Sequence, residues 1–279
     1  MHPRKLLFIL LTIFVTGSLF SQSAVMMTLN IRYDNPADTP NNWDQRKTAM
    51  VRMLRHYDPV IFGIQEGLIH QVTYLDSCLT DYTFIGVGRD DGAQKGEFSA
   101  IFYDTTQFEV LETSTFWLSE TPDVVSIGWD AAMERICTYG LFLNKMSGQQ
   151  FWVFNTHFDH MGEVARANSA SLILTKIRKI NAAHLPVALM GDFNSMPEDR
   201  PVQALKNGLA DAKTITEQPF YGPVGTFSGF TDEVMLRRID YIFTQKFKVL
   251  SYVHIDDRRD DNLFISDHLP VLATLEIMP

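Results

Sequence analysis

Apolar runs of strand length alternate along the chain with stretches in which apolar residues recur at helical spacing. Apolar positions three or four residues apart predict helices over residues 44–56, 68–79 and 163–183. Short apolar runs bounded by turn residues predict strands over residues 26–32, 60–65, 82–87, 99–103, 108–118, 137–143, 150–156, 186–190, 238–243, 247–255 and 269–277. The chain is therefore predicted to mix helices and strands throughout.

The order of these predicted elements indicates how the strands pair. The first five elements alternate strand and helix, whereas the four strands between residues 99 and 156 follow one another without a helix. Consecutive strands without helices imply antiparallel pairing. The pattern favours an α/β protein in which two sheets pack face to face and helices cover their outer surfaces.

The first 22 residues have the composition of a secretory signal peptide. Two basic residues precede an apolar run over residues 6–15, and small and polar residues follow that run. The run is short for a membrane span, although it would reach Phe20 in an uncleaved anchor. We therefore expect export to the periplasm or the cell exterior, a mature domain over residues 23–279, and no membrane span after processing.

Composition and charge narrow the class of protein. Hydrophobic residues make up 46% and charged residues 20% of the sequence, as in an ordinary globular domain. Removing the leader with Arg4 and Lys5 leaves 22 basic against 33 acidic residues, a net charge of −11. This acidity disfavours nucleic acid as a partner, although a local basic cleft could still bind it. The sequence leaves open whether Cys78 and Cys137 form a disulfide.

Polar residues cluster just beyond the ends of several apolar strands. They are carboxylates, amides and imidazoles, and they comprise Glu66, Asn155, His157, Asp192, Asn194, Asp240, Asp267 and His268. Singly, each has a simpler explanation, because such residues also cap helices, form turns or pair with a neighbour, as Asp240 could with Arg238. Five such strand ends in one chain are hard to explain by chance, and no serine or cysteine nucleophile lies among them.

These polar segments occur in an order that resembles a known family. The matching segments are Thr28-Leu29-Asn30, Gly63-Ile64-Gln65-Glu66, Asn155-Thr156-His157, Gly191-Asp192-Phe193-Asn194, Arg238-Ile239-Asp240-Tyr241 and Ser266-Asp267-His268-Leu269-Pro270. The set resembles the endonuclease/exonuclease/phosphatase superfamily, in particular its exported bacterial members, over the whole mature chain. The resemblance implies a four-layer α/β/β/α sandwich of two mixed, largely antiparallel sheets flanked by helices. It also implies a site at one edge of the two sheets.

The resemblance further implies a metal-binding group. Glu66 corresponds to the family's metal-binding carboxylate, with Asn30 beside it. Asp267 would support either the metal or the neighbouring His268. Hard oxygen ligands of this kind suit Mg²⁺ or Mn²⁺.

The remaining matched residues correspond to groups that act on water and phosphate. Asp192 corresponds to the residue that orients or deprotonates the attacking water, and Asn194 corresponds to an amide that donates to the phosphoryl oxygens. His157 and His268 correspond to imidazoles that neutralise those oxygens, with the carboxylate of Asp240 next to the site. Such a set aligns water with the leaving oxygen and offsets negative charge at phosphorus.

Four other residues are candidates for substrate contacts. Arg89 lies in a loop that could form a rim, and Phe227 matches a family loop position near the substrate. The planar fork of Arg135 suits paired phosphate oxygens, but it could equally pair with an acidic residue at the surface. Trp129 could pack in the core or stack on a sugar or base.

Together these features predict an exported, Mg²⁺- or Mn²⁺-dependent phosphoric ester hydrolase that uses an activated water. We expect a monomer that acts on a small or exposed phosphomonoester or phosphodiester, such as a sugar, inositol or lipid head-group phosphate. The alternatives are a secreted nuclease and a non-catalytic binding protein built on the same scaffold.

Overall fold

The computed structural model describes residues 23–278, so the predicted leader and Pro279 lie outside the described residues. The helices are α1 (Trp43–Tyr57), α2 (Ile69–Cys78), α3 (Glu163–Ile180), α4 (Arg200–Leu205) and α5 (Ala212–Ile215). The strands are β1 (Ala24–Asn30), β2 (Ile61–Gln65), β3 (Tyr82–Ile85), β4 (Ile101–Asp104), β5 (Phe108–Trp117), β6 (Ile136–Asn144), β7 (Gln150–His157), β8 (Val187–Asp192), β9 (Ala210–Asp211), β10 (Asp240–Gln245), β11 (Phe247–His254) and β12 (Val271–Ile277).

The strands form two six-stranded sheets. The first has the order β11-β12-β1-β2-β4-β3 and the second the order β5-β6-β7-β8-β10-β9. Only the β1–β2 and β7–β8 pairs are parallel, and the second of these is connected through α3. The mixed, largely antiparallel sandwich predicted from the sequence is confirmed. The run of helix-free strands is divided between the sheets, however, because the chain crosses from β4 in the first sheet to β5 in the second.

Three apolar clusters correspond to the three interfaces of a four-layer sandwich. One cluster packs α1 and α2 on the first sheet, another packs α3 and α4 on the second sheet, and the third fills the space between the sheets. Alternation along β1 shows how one strand serves two layers, since Met27 and Leu29 face the helices while Met26 faces the other sheet. Burial of both faces explains why the central strands are almost continuously apolar.

Several predicted elements are shorter in the structure than in the sequence pattern. The strand predicted to run to residue 87 ends at Ile85, because Gly86 adopts φ 131° and lies close to the backbone of Ala100. Helix α3 ends at Ile180, where the Asn181 side chain donates to and accepts from the backbone of Leu185. The short elements α4, α5 and β9 were not predicted, since they have too few residues to show a period.

The structure also answers the question about the cysteines. Cys78 ends α2 against the outer face of the first sheet, whereas Cys137 is buried in β6 on the outer face of the second sheet. Both are free thiols. Within residues 23–278, no helix is both long and apolar enough to cross a membrane.

A buried asparagine connects the two sheets. The Asn155 side chain of β7 donates to the backbone oxygens of Ile64 and Ala100, each at 2.9 Å, and accepts from Gln65 Nε2 at 2.7 Å. It occupies space left by Gly63, where an added Cβ would lie 2.6 Å from the Asn155 amide. Buried polar groups are costly without partners, so these bonds fix how β2 and β7 lie relative to each other.

Replacing this asparagine tests its contribution to stability. We expect Asn155→Ala to lower the free energy of unfolding by about 2–4 kcal/mol, because the backbone oxygens of Ile64 and Ala100 and the Gln65 amide each lose one buried hydrogen bond. The Ala100 oxygen keeps its bond from the Ile64 N–H, and Gln65 Nε2 keeps its bond to Thr28 Oγ1. Chemical denaturation followed by fluorescence measures the change. The exposed Asn207→Ala serves as the control and should change stability by less than about 0.5 kcal/mol. Equal effects of the two substitutions would contradict the proposed connection.

Candidate active site

A cavity of about 560 Å³ opens at one edge of the two sheets. It is lined by Arg32, Tyr33, Glu66, Arg89, Glu97, Met133, Arg135, His157, His160, Asp192, Asn194, Phe227, Arg237, Ile239, Asp267 and His268. Among these lining residues there is no serine, threonine or cysteine. The lining therefore offers carboxylates, imidazoles and guanidinium groups, and it contains neither an aliphatic hydroxyl nor a thiol.

These residues meet because the strands that carry them end at the same edge. His157 and Asp192 are register partners at the carboxyl ends of β7 and β8, and Asp240 at the start of antiparallel β10 also pairs with Asp192. Asn30 ends β1 in the first sheet, and Glu66 directly follows β2. Since β1 contacts β8 across the sheet interface, the polar ends of both sheets converge.

Asn30 joins the carboxylates of the two sheets. It is fully buried, and its Nδ2 donates to Glu66 Oε1 and to Asp192 Oδ2, each at 3.0 Å. Its Oδ1 accepts from the backbone N–H of Arg32 at 3.0 Å. Glu66 Oε2 accepts from the Tyr33 backbone N–H at 3.1 Å. The amide and carboxylate are thus held in fixed orientations before any ligand binds.

Arg32 provides positive charge beside the predicted metal-binding carboxylates. Its guanidinium forms a two-point contact with Asp38 at 2.8 and 3.1 Å. The same group lies 3.9 Å from Glu66 Oε2 and 3.8 Å from Asp267 Oδ2. Arg32 therefore reduces the repulsion between these two carboxylates in the absence of another cation.

His268 lies between two buried carboxylates of the cavity. Its Nδ1 lies 2.9 Å from Asp240 Oδ2, and its Nε2 lies 3.7 Å from Asp192 Oδ2. Burial opposes the imidazolium charge, but the carboxylates of Asp240 and Asp192 outweigh burial and raise the pKa of His268 to about 10. Burial and the charge of Asp240 raise the pKa of Asp192 to about 7, although His268 acts in the opposite direction.

His157 has the opposite charge state. Burial and the neighbouring Arg135 and Arg89 guanidinium groups lower its pKa well below the usual value for histidine. Its Nε2 lies 3.2 Å from Asn194 Nδ2 and 3.5 Å from Asp192 Oδ2. The cavity therefore holds one neutral and one charged imidazole on either side of Asp192.

The predicted catalytic and metal-binding residues all meet in or beside this cavity. Asp240 and Asn30 lie just behind the lining, where they contact His268 and Glu66. The alternative pairing of Asp240 with Arg238 does not occur, because Arg238 pairs with the buried Asp211. The structure thus places these side chains together at one edge of the two sheets.

The four predicted substrate contacts are placed less uniformly. Arg89 and Phe227 line the cavity, and Arg89 forms a two-point contact with Glu97 at 2.6 and 3.1 Å. Arg135 also lines it, but its guanidinium is buried and pairs with Asp159 at 3.3 Å, so the surface alternative is wrong. Trp129 is half-buried and does not belong to the lining.

Two groups in the cavity have the chemistry to hold a divalent cation. Glu66 and Asp267, with Asn30, supply oxygen donors of the type that Mg²⁺ prefers. Asp192, Asp240 and His268 form a second, buried group whose ligand atoms all lie within 4.8 Å of one another. Asp240 Oδ1 in that group is buried without a hydrogen-bond partner, which fits an oxygen that could accept a further ligand.

Sequence reasoning missed several lining residues. Apart from the predicted substrate contacts, the lining residues outside the matched segments are Arg32, Tyr33, Glu97, Met133, His160 and Arg237. Ile239 lies inside a matched segment but was given no role. Arg32 follows Asn30 by two residues, a spacing that would place both on one side of an extended chain. Its φ of 57° breaks that extension, so the sequence pattern alone could not predict its contacts.

Comparison with known proteins identifies the family. Residues 27–268 match the sequence model of the Endonuclease/Exonuclease/phosphatase family. An endonuclease/exonuclease/phosphatase family protein from Bacteroides thetaiotaomicron has 38% identity and a TM-score of 0.87 over 91% of this chain and 95% of that chain. A mannosyl-6-phosphatase from the same species has 38% identity and a TM-score of 0.86, over 90% and 99% of the two chains.

A more distant relative matches over nearly the same length. It is an uncharacterized protein of Acanthamoeba polyphaga mimivirus, 27% identical over 255 residues, which represent 84% of this chain and 92% of the relative. The matched range contains the cavity residues from Arg32 to His268. This chain belongs to the endonuclease/exonuclease/phosphatase family, whose members hydrolyse phosphoester bonds.

Proposed function

We propose that the protein is an exported hydrolase that cleaves a small phosphate ester with an activated water and a divalent cation. The observation that carries this proposal is the position of Asp192 between a neutral and a charged imidazole, with its carboxylate also held by Asn30. Export rests on the composition of residues 1–22. The chemistry rests on the cavity.

Asp192 is placed to act on water. Its Oδ2 accepts from Asn30 and its Oδ1 accepts from the backbone N–H of Asn194 at 2.9 Å, so the carboxylate cannot rotate freely. A raised pKa keeps this carboxylate a stronger base than an ordinary aspartate, which favours proton removal from water near neutral pH. The proton from the attacking water would pass to an Asp192 oxygen.

The other polar groups are suited to the phosphoryl oxygens. The charged His268 offers an N–H donor beside Asp192, where negative charge increases as the ester bond breaks. The Asn194 amide donates to the Phe158 backbone oxygen at 3.0 Å and lies 3.2 Å from His157 Nε2, so it holds His157 in place. Asp240 keeps His268 charged and fixes its ring through Nδ1, leaving Nε2 directed toward Asp192. The neutral His157 adds a polar contact without adding another positive charge.

A divalent cation completes the charge balance in this proposal. Glu66 and Asp267 would bind it from the side of Arg32, with Asn30 orienting Glu66. When bound, such a cation polarises a phosphoryl oxygen and offsets its charge. The oxygen-only chemistry of these residues favours Mg²⁺ or Mn²⁺ over softer metals.

The substrate in this proposal is a sugar phosphate or a similarly small phosphate ester. A cavity of about 560 Å³ is within the usual range for a small-molecule site. The similar Bacteroides thetaiotaomicron protein is a mannosyl-6-phosphatase, which supports a sugar phosphate. The net charge of −9 for the full sequence weighs against long nucleic acid, because like charges repel at long range.

Removal of the metal or of the proposed base should abolish turnover. We expect the mature protein to hydrolyse 4-nitrophenyl phosphate with Mg²⁺ or Mn²⁺, and EDTA to remove this activity until metal is restored. Asp192→Asn should lower kcat about 10²- to 10⁴-fold because the amide cannot take the proton from water. The exposed Asp123→Asn is the control. Full activity of Asp192→Asn, or in EDTA, would refute these roles.

The charge of His268 gives a second test. In metal-free protein we expect its imidazole to titrate near pH 10, and Asp240→Asn to lower that midpoint by about one to three pH units. The raised pKa stabilises the fold fully below the unfolded value of about 6.5, and this contribution is lost as the pH rises through 10. NMR titration of the ring, assigned with His268→Gln, measures the midpoint.

The exposed Asp260→Asn should leave the His268 titration unchanged. A midpoint near pH 6.5 in the unmodified protein would contradict the charged state assigned to His268.

A further inference from the structure

One of the four arginines that line the cavity differs from the others in its charge environment. Three form ion pairs with carboxylates, namely Arg32 with Asp38, Arg89 with Glu97, and Arg135 with Asp159. Arg237 forms no ion pair with any group in residues 23–278. Asp232, five residues before Arg237 in the chain, pairs with Arg258. The positive charge of Arg237 is therefore available to a ligand.

The Arg237 side chain is also held in a defined place. Its guanidinium carbon lies 4.7 Å from the centroid of the Phe227 ring, and Phe227 packs edge-on against His268 with centroids 5.0 Å apart. The Arg237 backbone oxygen accepts from the N–H groups of Thr226 at 2.8 Å and Phe227 at 3.1 Å. Arg237 is thus connected to a catalytic imidazole through one aromatic ring and through the backbone.

Its depth in the cavity separates it from the reacting phosphate. The groups assigned to water and phosphoryl oxygens, Asp192, His157 and His268, are buried, whereas Arg237 is exposed. A substrate whose phosphate reaches the buried groups must extend its alcohol portion past the rim. At that rim Arg237 lies over the Phe227 ring, and Phe227 in turn packs against His268.

We propose that Arg237 selects substrates whose alcohol portion carries a second anionic group, a phosphate or a carboxylate. This inference rests on the proposed phosphoesterase function and adds the charge of the leaving group to it. The planar guanidinium offers two N–H groups side by side, which fits the paired oxygens of either anion. Stacking on Phe227 keeps the fork oriented, so little rotamer freedom is lost when the anion binds.

Because the rest of the molecule is acidic, the unpaired positive charge of Arg237 points to an anionic ligand. The full sequence carries a net charge of −9, and three of the four lining arginines are already compensated by carboxylates. An anion approaching the rim would therefore meet its unpaired cation at Arg237. Three compounds test this directly. Glucose 6-phosphate carries one phosphate and serves as the reference. 6-Phosphogluconate carries an additional carboxylate, and glucose 1,6-bisphosphate carries an additional phosphate.

The experiment compares kinetics of the metal-loaded unmodified protein, Arg237→Ala and Arg237→Lys on these three compounds and on 4-nitrophenyl phosphate. We expect Arg237→Ala to raise KM about tenfold for the two compounds with a second anionic group. For these two compounds, the kcat of Arg237→Ala should stay within twofold of the value for the unmodified protein. On glucose 6-phosphate and 4-nitrophenyl phosphate, both kcat and KM should stay within twofold of it. Arg237→Lys should recover part of the affinity. The exposed Arg178→Ala on α3 is the matched control.

Calorimetric binding of the same compounds to Asp192→Asn, with and without Arg237→Ala, provides a readout that does not need turnover. Weaker binding of only the doubly anionic compounds supports the inference. Equal loss for all four compounds, or no loss for any, overturns it. If glucose 1,6-bisphosphate is preferred over 6-phosphogluconate, the second group is a phosphate, and the reverse order identifies a carboxylate. If the unmodified protein turns over none of the four compounds but the selective binding through Arg237 remains, the proposed function is refuted and only the assignment of Arg237 to a second anionic group stands.

Discussion

The hydrogen bonds of Asn155 across the sheet interface fix the geometry on which the cavity depends. An amide that donates to two backbone oxygens of the opposite sheet and accepts from Gln65 permits one relative placement of β2 and β7. The next position on the same face of β7 is His157, which lies in the cavity. One strand thus supplies the connection between the sheets and, two residues later, a group of the candidate active site.

Burial of charge imposes the second constraint. Carboxylates and guanidinium groups at this edge are largely removed from water, so each needs a partner or an altered charge state. Asp240 keeps His268 charged, Asn30 joins Glu66 to Asp192, and His157 stays neutral beside two arginines. These interactions offset the free-energy cost of burying the charged groups. They also set the neutral state of His157 and the charged state of His268, which the proposed chemistry uses.

The buried part and the exposed rim of this cavity have different proposed roles. The deep part is built from paired, buried groups at strand ends, all within the range that matches the family model. The rim contains loop residues such as Phe227 and Arg237, whose contacts depend on loop geometry rather than on strand register. In the proposed function, reaction type and substrate choice therefore depend on different kinds of structure, and a change at the rim would alter the second without the first.

The sequence by itself determined the strands and long helices, the two-sheet architecture and most of the deep cluster. Alternation and helical spacing identify buried faces directly, and polar residues immediately after apolar strands mark where those strands end. The motif residues Glu66, His157, Asp192, Asn194 and His268 could be grouped for this reason, since strand ends at one edge must lie near one another.

Only the tertiary structure decided which partners those residues take and what surrounds them. Arg135 is buried against Asp159 rather than paired at the surface, Asp240 contacts His268 rather than Arg238, and Trp129 lies outside the lining. Arg32 lines the cavity in a backbone conformation with positive φ. Arg237 lines it from a loop, where its side chain contacts the Phe227 ring. Charge pairing and loop conformation depend on residues distant in the chain, and no local pattern of apolar and polar positions encodes those distances.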